Sequence, residues 1–335
     1  MGFLRTDIDE AKNPEEKREL KWLFERYLEC DHWAIKTIPY KRLLELKAPE
    51  SEEYRKIRPP YDVGVLLTAH PGGRAYLKAS IETHKKLGFW ICLAYDNYFD
   101  PKRRDIKYDD MLPARDVMDM VDLFVMPHHQ VWGGVLFPIV QLWKWGWGFG
   151  IASMSTFPYI YCANGDCIIE KPKGFPKLMG KMGDADIMGI GCDESCFYTA
   201  AFIAKTEALQ AIMEHMERHF IPFETYEKYT NEIGNCEARM ARAIRDLGLK
   251  QVVVEPPNNE QLHVKGKGTW YKLLGLRHLH GEHNYAYRYH KEPPEIKYFD
   301  QRFMGNEYSR IKEYWECKKS DPEKAQQILK DWWAK

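Results

Sequence analysis

Asn164-Gly165-Asp166 sits between two apolar and aromatic runs, Tyr159 to Ala163 and Cys167 to Ile169. A carboxylate delivered by the end of a buried strand, with a second side-chain oxygen two residues before it, suits a hard divalent cation such as Mg²⁺ or Mn²⁺. Gly165 between them permits close backbone approach. A cation held there neutralises a diphosphate and helps it depart as a leaving group. A solvent turn would account for the Asn-Gly pair. It would not account for the polar groups that close the neighbouring apolar runs. Thr68-Ala69-His70-Pro71-Gly72-Gly73-Arg74 closes the first, Asp96-Asn97 the second and His128-His129-Gln130 the third. Each alone reads equally well as a loop, but four in succession place hydrogen-bonding groups along one edge of a sheet.

The elements that would carry these groups follow from hydrophobic pattern. Residues 62–69, DVGVLLTA, form a continuous apolar run, as in a strand covered on both faces. Residues 89–95, 122–126, 158–163, 185–191, 199–204 and 251–255 read as further strands. Between them, 73–88 places Leu77, Ile81, His84 and Leu87 at helical spacing, with Gly88 as a stop. The same spacing recurs over 207–220 and over 235–249, the latter through Cys236, Met240, Ile244 and Leu247. Strands alternating with helices predict an α/β fold with a Rossmann-like, mostly parallel sheet flanked by helices. Residues 1–60 read as a helical N-terminal extension. Residues 61–290 read as one α/β domain. Residues 291–335 read as a charged helical tail.

Bulk properties narrow the class. At 335 residues, 44% hydrophobic and 29% charged, the composition is that of a soluble globular protein. A formal net charge of zero gives no overall pull toward nucleic acid or a membrane surface. Cysteines are scattered without a CxxC pair, and Cys92 and Cys162 lie inside apolar runs. The opening residues are mostly charged, with no apolar leader, so the expected compartment is a reducing cytoplasm. The one stretch resembling a membrane span, 131–154, is broken by Pro138, Gln141 and Lys144. A buried helix with a glycine-rich exit is the expectation there. The sequence carries no sign of an oligomeric state.

With these residues in place, the chain resembles the GT-A-fold, nucleotide-sugar-dependent glycosyltransferases over roughly 61–285. Asn164-Gly165-Asp166 is similar to that family's short acid-x-acid motif, with Asn164 in place of the first acid and Asp166 as the direct metal ligand. The resemblance implies that 61–290 is a catalytic domain with a nucleotide-sugar half at 61–166 and an acceptor half at 167–290. It implies a nucleotide-sugar donor (a UDP-sugar), a Mn²⁺ or Mg²⁺ cofactor and sugar transfer to a hydroxyl. It implies nucleotide contacts from Thr68, Ala69, His70 and Arg74 at the first strand exit, from Asp96 at the second, and a donor-side role for Asn164. It further implies an acceptor-side acid opening a late helix, here Glu237, with Asp193 and Glu194 of GCDES as alternatives. The acceptor stays open among a glycan, a lipid-linked or protein acceptor, a small molecule and a hydroxylated base in viral DNA.

Residues 277–284, RHLHGEHN, present His278, His280 and His283. The spacing nearly matches a zinc motif, H-x-H-x-D-H, with Glu282 for the acid, but such a motif belongs early in a chain with ligands downstream. The glycosyltransferase resemblance instead implies that His278 and His280 complete the donor metal site. Plain loop histidines are the alternative. Residues 261–291 also carry Lys265, Lys267, Lys272, Arg277, Arg288 and Lys291 against the single acid Glu282, interleaved with aromatics. That stretch reads as a solvated face or as a holder of the donor diphosphate. Two other functions compete. A nucleotidyltransferase of the same fold class would want a longer glycine-rich loop followed by Pro-Lys. A non-catalytic carbohydrate- or nucleic-acid-binding protein would leave the polar strand ends unexplained.

Overall fold

Val63–Ala69 is buried along its whole length, as its uninterrupted apolar character requires of a strand flanked on both sides and covered on both faces. This strand, β1, is the centre of the protein. The computed structural model describes residues 63–69, 74–95, 117, 120–125, 157–193, 196–219, 236–254, 268–303 and 305–334. β1 is followed by β2 (Trp90–Tyr95), β3 (Leu123–Val125), β4 (Tyr159–Asn164), β5 (Cys167–Ile169), β6 (Ile187–Asp193), β7 (Cys196–Lys205), β8 (Gln251–Val253) and β9 (Leu276–His278). Seven of these form one sheet in the order β3-β2-β1-β4-β7-β6-β8, and β5 and β9 form a separate antiparallel ribbon.

The sheet is mostly parallel, as the alternating pattern predicts. β1 pairs parallel with β2 and β4, β2 with β3, and β6 with β8. β7 is the exception, antiparallel to both β4 and β6. Its reason is chain length: only residues 194–195 separate β6 from β7, which suffices for a hairpin but not for a crossover. The β6–β7 pair also slips register between Gly189 and Ile190 and again before Asp193, so β7 begins at Cys196, three residues earlier than its apolar pattern suggests.

The helices are α1 (Arg74–His84), α2 (Phe175–Met182), α3 (Thr206–His219), α4 (Cys236–Asp246), α5 (Thr269–Leu274), α6 (Leu279–Arg288), α7 (Gly305–Ser320) and α8 (Pro322–Trp333). Alternate strand residues Val63, Val65, Leu67, Ile91, Leu93, Tyr161 and Ala163 face a core shared with Leu77 and Ile81 of α1, Phe175 and Leu178 of α2 and Trp270 of α5. That alternation is the pleat's period of two. α3 and α4 pack on each other, and α4 packs on β7. In α4 the stripe holds at Met240 and Ile244, both buried, but Leu247 lies beyond the helix and is exposed. α1 closes with a short 3₁₀ turn, and Gly88 takes a left-handed φ of 73°, as expected of the stop.

The tail after 290 docks on the rest of the chain. Tyr298, Phe299 and Ile311 join Ala75 and Tyr76 of α1, Ile168 of β5 and Leu279 of α6 in one cluster. Ala286 of α6 joins Tyr314, Ala325, Leu329 and Trp332 of α7 and α8 in a second. The expected helix before residue 60 and the stretch 131–154 lie outside the described residues. Among the described residues no helix is long and apolar enough to cross a membrane.

Candidate functional site

The strand order fixes where a ligand can enter. From β1 the chain moves outward through β2 and β3 on one side, then returns to place β4 on the other. The next sheet strands after β1 and after β4 therefore lie on opposite sides of this pair, and the crevice at such a switch point is where open α/β sheets bind ligands. Asn164 ends β4 in register with Thr68 of β1, so both polar exits meet there.

A tight turn delivers the acid. The Gly165 N–H donates to the Thr68 carbonyl at 2.6 Å, tying the two strand exits together. A Cβ on residue 165 would lie 2.6 Å from the Ala69 Cβ and 3.1 Å from Leu77 Cδ1, so only glycine fits without displacement. The chain then reverses into β5, which pairs with β9 so that Cys167 faces His278. The Thr83 hydroxyl of α1 accepts the Ile169 N–H at 3.2 Å, fastening the ribbon to the core. The Leu279 N–H donates to the Asp166 carbonyl at 3.0 Å and sets the start of α6 beside the turn.

The outcome is a carboxylate–imidazole pair. His278 Nε2 donates to Asp166 Oδ2 at 3.1 Å, with side chains only 11% and 10% exposed. His280, the second residue of α6, lies at the same edge with its ring edge-on to Tyr76 at 6.4 Å. The packed surroundings of its ring lower the His280 pKa. The Asp166 charge opposes that shift, and His278 adds to it. Burial pushes the Cys167 thiol well above its ordinary range, and the neighbouring Asp166 carboxylate pushes it further, so this cysteine is an inert thiol donating to the Ala200 carbonyl.

The structure thus brings Asp166 and His278 together. Among the described residues no group of three His, Cys, Asp or Glu side chains is arranged to hold a metal, so His280 does not complete a triad. The zinc-like reading of 278–283 finds no support, since Glu282 is turned to Arg277 and His283 stacks on Trp332 at 5.5 Å. Thr68 and Ala69 are buried at the β1 exit, and Arg74 opens α1 with its guanidinium 5.6 Å over Phe303. Asn164 is partly buried at the mouth of the crevice. Asp193 ends β6, which runs parallel to β4 with β7 between them, so its backbone reaches the same sheet edge roughly 10 Å to the side. Glu237 is the second residue of α4, and its side chain lies outside the described residues. The far end of α4 leads within a few residues to Lys250, which bonds Asp186 at the start of β6. Glu237 is therefore at the end of α4 away from the connection to the start of β6. His70, Asp96 and Glu194 lie outside the described residues, as do His128, His129, Lys265 and Lys267.

Sequence reasoning missed the ribbon and what lies behind it. Arg277 is not part of a solvated basic face. Its side chain is 1% exposed and bonds Glu170, Glu282 and Glu295. Burial works against its charge, but the Glu282 bonds and the charges of Glu282 and Glu295 outweigh that and hold it protonated. Burial pushes the Glu282 carboxyl up, with Arg277 opposing. One signal could have found the cluster: Glu282 is the single acid in the basic stretch 261–291. Trp270, also in that stretch, belongs to the main core.

No family model matches the chain, and no curated protein matches it. Among solved structures it is similar to a candidate nucleotide-diphospho-sugar transferase from Desulfovibrio desulfuricans G20 (8% identity, 58% of this chain and 80% of that one, TM-score 0.37). It is also similar to the 4-diphosphocytidyl-2C-methyl-D-erythritol synthase of Anaerococcus prevotii (11% identity, 59% and 93%, TM-score 0.31). Mouse xyloside xylosyltransferase 1 matches at 11% identity over 57% and 84% of the two chains, with a TM-score of 0.31. Likenesses this loose identify no activity, and the site's own geometry has to carry the reading.

Proposed function

We propose that this chain is a glycosyltransferase that takes a sugar from a nucleotide-diphosphate donor, a UDP-sugar, and passes it to a hydroxyl acceptor. The observation that supports this reading is the buried Asp166–His278 pair, 3.1 Å apart, at the crevice between the carboxyl ends of β1 and β4. One carboxylate and one imidazole form a sparse donor set. The carboxylate suits Mn²⁺ or Mg²⁺, which take few protein ligands and fill the rest with phosphate oxygens and water, and the imidazole favours Mn²⁺ of the two. When bound, such an ion supplies neutralisation of the diphosphate as it leaves.

The chain's own residues do the rest. Asp166 and His278 hold the ion, and Asn164 presents its amide to the donor. Thr68 and Ala69 line the nucleotide side with backbone groups, and Arg74 offers a cation to the phosphates. Asp96 accepts a hydrogen bond from the base, and His70 contacts the nucleotide. Glu237 receives the acceptor proton or hydrogen-bonds the acceptor hydroxyl, with Asp193 or Glu194 as the substitute. A general base in that role contributes about 10²–10⁴-fold to the chemical step.

Incubating the protein with nucleotide sugars labelled in the sugar, with and without Mn²⁺, tests the reading. Metal-stimulated release or transfer of labelled sugar is the expected result. Formation of nucleoside triphosphate from added pyrophosphate would instead identify nucleotidyl transfer. The absence of any turnover or donor binding would leave a non-catalytic protein, and either outcome overturns the proposal.

A further inference from the structure

β9 and β5 are three residues each, and a two-stranded ribbon is marginal by itself. Yet its last residue, His278, has to stay against Asp166. Arg277, the preceding residue, supplies a second set of attachments. Its Nε and Nη2 grip Glu282 in the first turn of α6, at 2.9 Å to Oε1 and 2.6 Å to Oε2. Its Nη1 reaches Glu170 Oε1 at 2.9 Å and Glu295 Oε2 at 2.8 Å. Glu170 follows β5 directly and also accepts the Tyr298 hydroxyl at 2.8 Å, and the guanidinium lies 5.3 Å over the Tyr298 ring. One planar fork therefore joins the ribbon's two strands, the helix that starts beside Asp166, and the 295–298 segment.

Stability alone does not explain the arrangement. Burying ions removes their hydration, and apolar side chains of similar volume often serve a fold as well or better. What an apolar substitute cannot supply is direction: guanidinium donors held at fixed angles by Glu170, Glu282 and Glu295 set the orientation of β9. We propose that Arg277 is a positioning residue that holds the His278 imidazole against Asp166 by clamping β9 to Glu170, Glu282 and Glu295. The consequence for donor binding rests on the glycosyltransferase reading. The effect on the imidazole does not.

The test uses the full chain labelled with ¹⁵N-histidine, with the His278 signal assigned by its loss in His278→Asn. In Arg277→Lys the charge remains but the fork is gone, and the His278 signal is expected to shift toward that of a free imidazole or to split. Glu170→Gln, a milder change at a side chain 24% exposed, is expected to shift it in the same direction and serves if Arg277→Lys does not fold. Mn²⁺·UDP binding should weaken about 10–100-fold in Arg277→Lys, the usual consequence of disturbing a group that orients a metal ligand. Adding His278→Asn to that variant should then cost less than about twofold more, because the two changes disrupt one interaction. An unmoved His278 signal in the folded variants, with only a lowered melting temperature, would overturn the positioning role. If wild-type protein binds no Mn²⁺·UDP while the signal shifts as expected, the function reading fails and the positioning role stands.

Discussion

Gly165 shows how closely one residue ties sequence to site. The Asn-Gly-Asp turn is legible from residue types alone, but the contact that demands glycine comes from β1 and α1, which lie about ninety residues earlier in the chain. Gly165→Ala must displace Ala69 or Leu77, and overpacking of that kind costs about 1–3 kcal/mol. Chemical denaturation of the variant would read this as a lowered midpoint, and an unchanged midpoint would mean that the turn relaxes freely. His84, legible only as a member of an apolar stripe, is fully buried. Its Nδ1–H donates to the Ser80 carbonyl at 2.8 Å, leaving Nε2 to accept from the Tyr161 hydroxyl at 3.4 Å. Burial lowers its pKa to about 4, against a small opposing effect of the Ser80 bond. The unfolded chain takes up that proton near the ordinary value of 6.5, so folding stability is full above 6.5 and falls as pH drops toward 4. The loss is on the order of 3 kcal/mol from His84. His283, lowered to about 4 by burial and then by His280, acts with the same sign. Unfolding midpoints at about pH 7.5 and about pH 4.5 should differ less in His84→Gln than in wild type. Equal differences would remove His84 as a source.

At the scale of elements, the strands of the parallel sheet were legible because apolar runs and helical stripes alternate along the chain. β7 was legible as a strand but not as antiparallel, since direction depends on the two residues that separate it from β6. β5, β9 and α6 were not legible as elements. Three-residue strands have no periodicity to read, and the histidines of 278–283 drew a chemical reading that their helical setting only partly supports. α8 carries the most testable packing. Trp332 is 5% exposed, stacks on His283 of α6 with rings 16° from parallel, and meets Tyr287 edge-on. Trp332→Ala should cost about 3–5 kcal/mol, as large aromatic truncations in cores do. Because α6 starts beside Asp166, in the proposed donor site, the same variant should also weaken donor affinity. A loss of stability confined to a separate, earlier melting step would show instead that the tail folds on its own.

At the scale of the whole molecule, a zero net charge offers no field to gather an anionic donor, so under the proposed function recognition falls to local groups at one edge. The sheet supplies that edge through its order: β1 and β4 are neighbours whose onward connections part, and Asp166, the backbone end of β6 and the start of α6 all lie on that side. Order of this kind depends on which strands pair across a hundred residues, and no local pattern specifies it. Two of the polar strand exits, at Thr68 and at Asn164 to Asp166, do meet at one edge, as expected of groups that close neighbouring parallel strands. The central claim, that Asp166 and His278 hold a metal-bound donor diphosphate, is tested most directly by titration calorimetry of UDP with and without Mn²⁺. It predicts metal-dependent binding by wild type. Binding should weaken at least about tenfold in Asp166→Asn and in His278→Asn, each with its melting temperature close to that of wild type. UDP binding of equal strength in Asp166→Asn, or binding that ignores Mn²⁺, would contradict it.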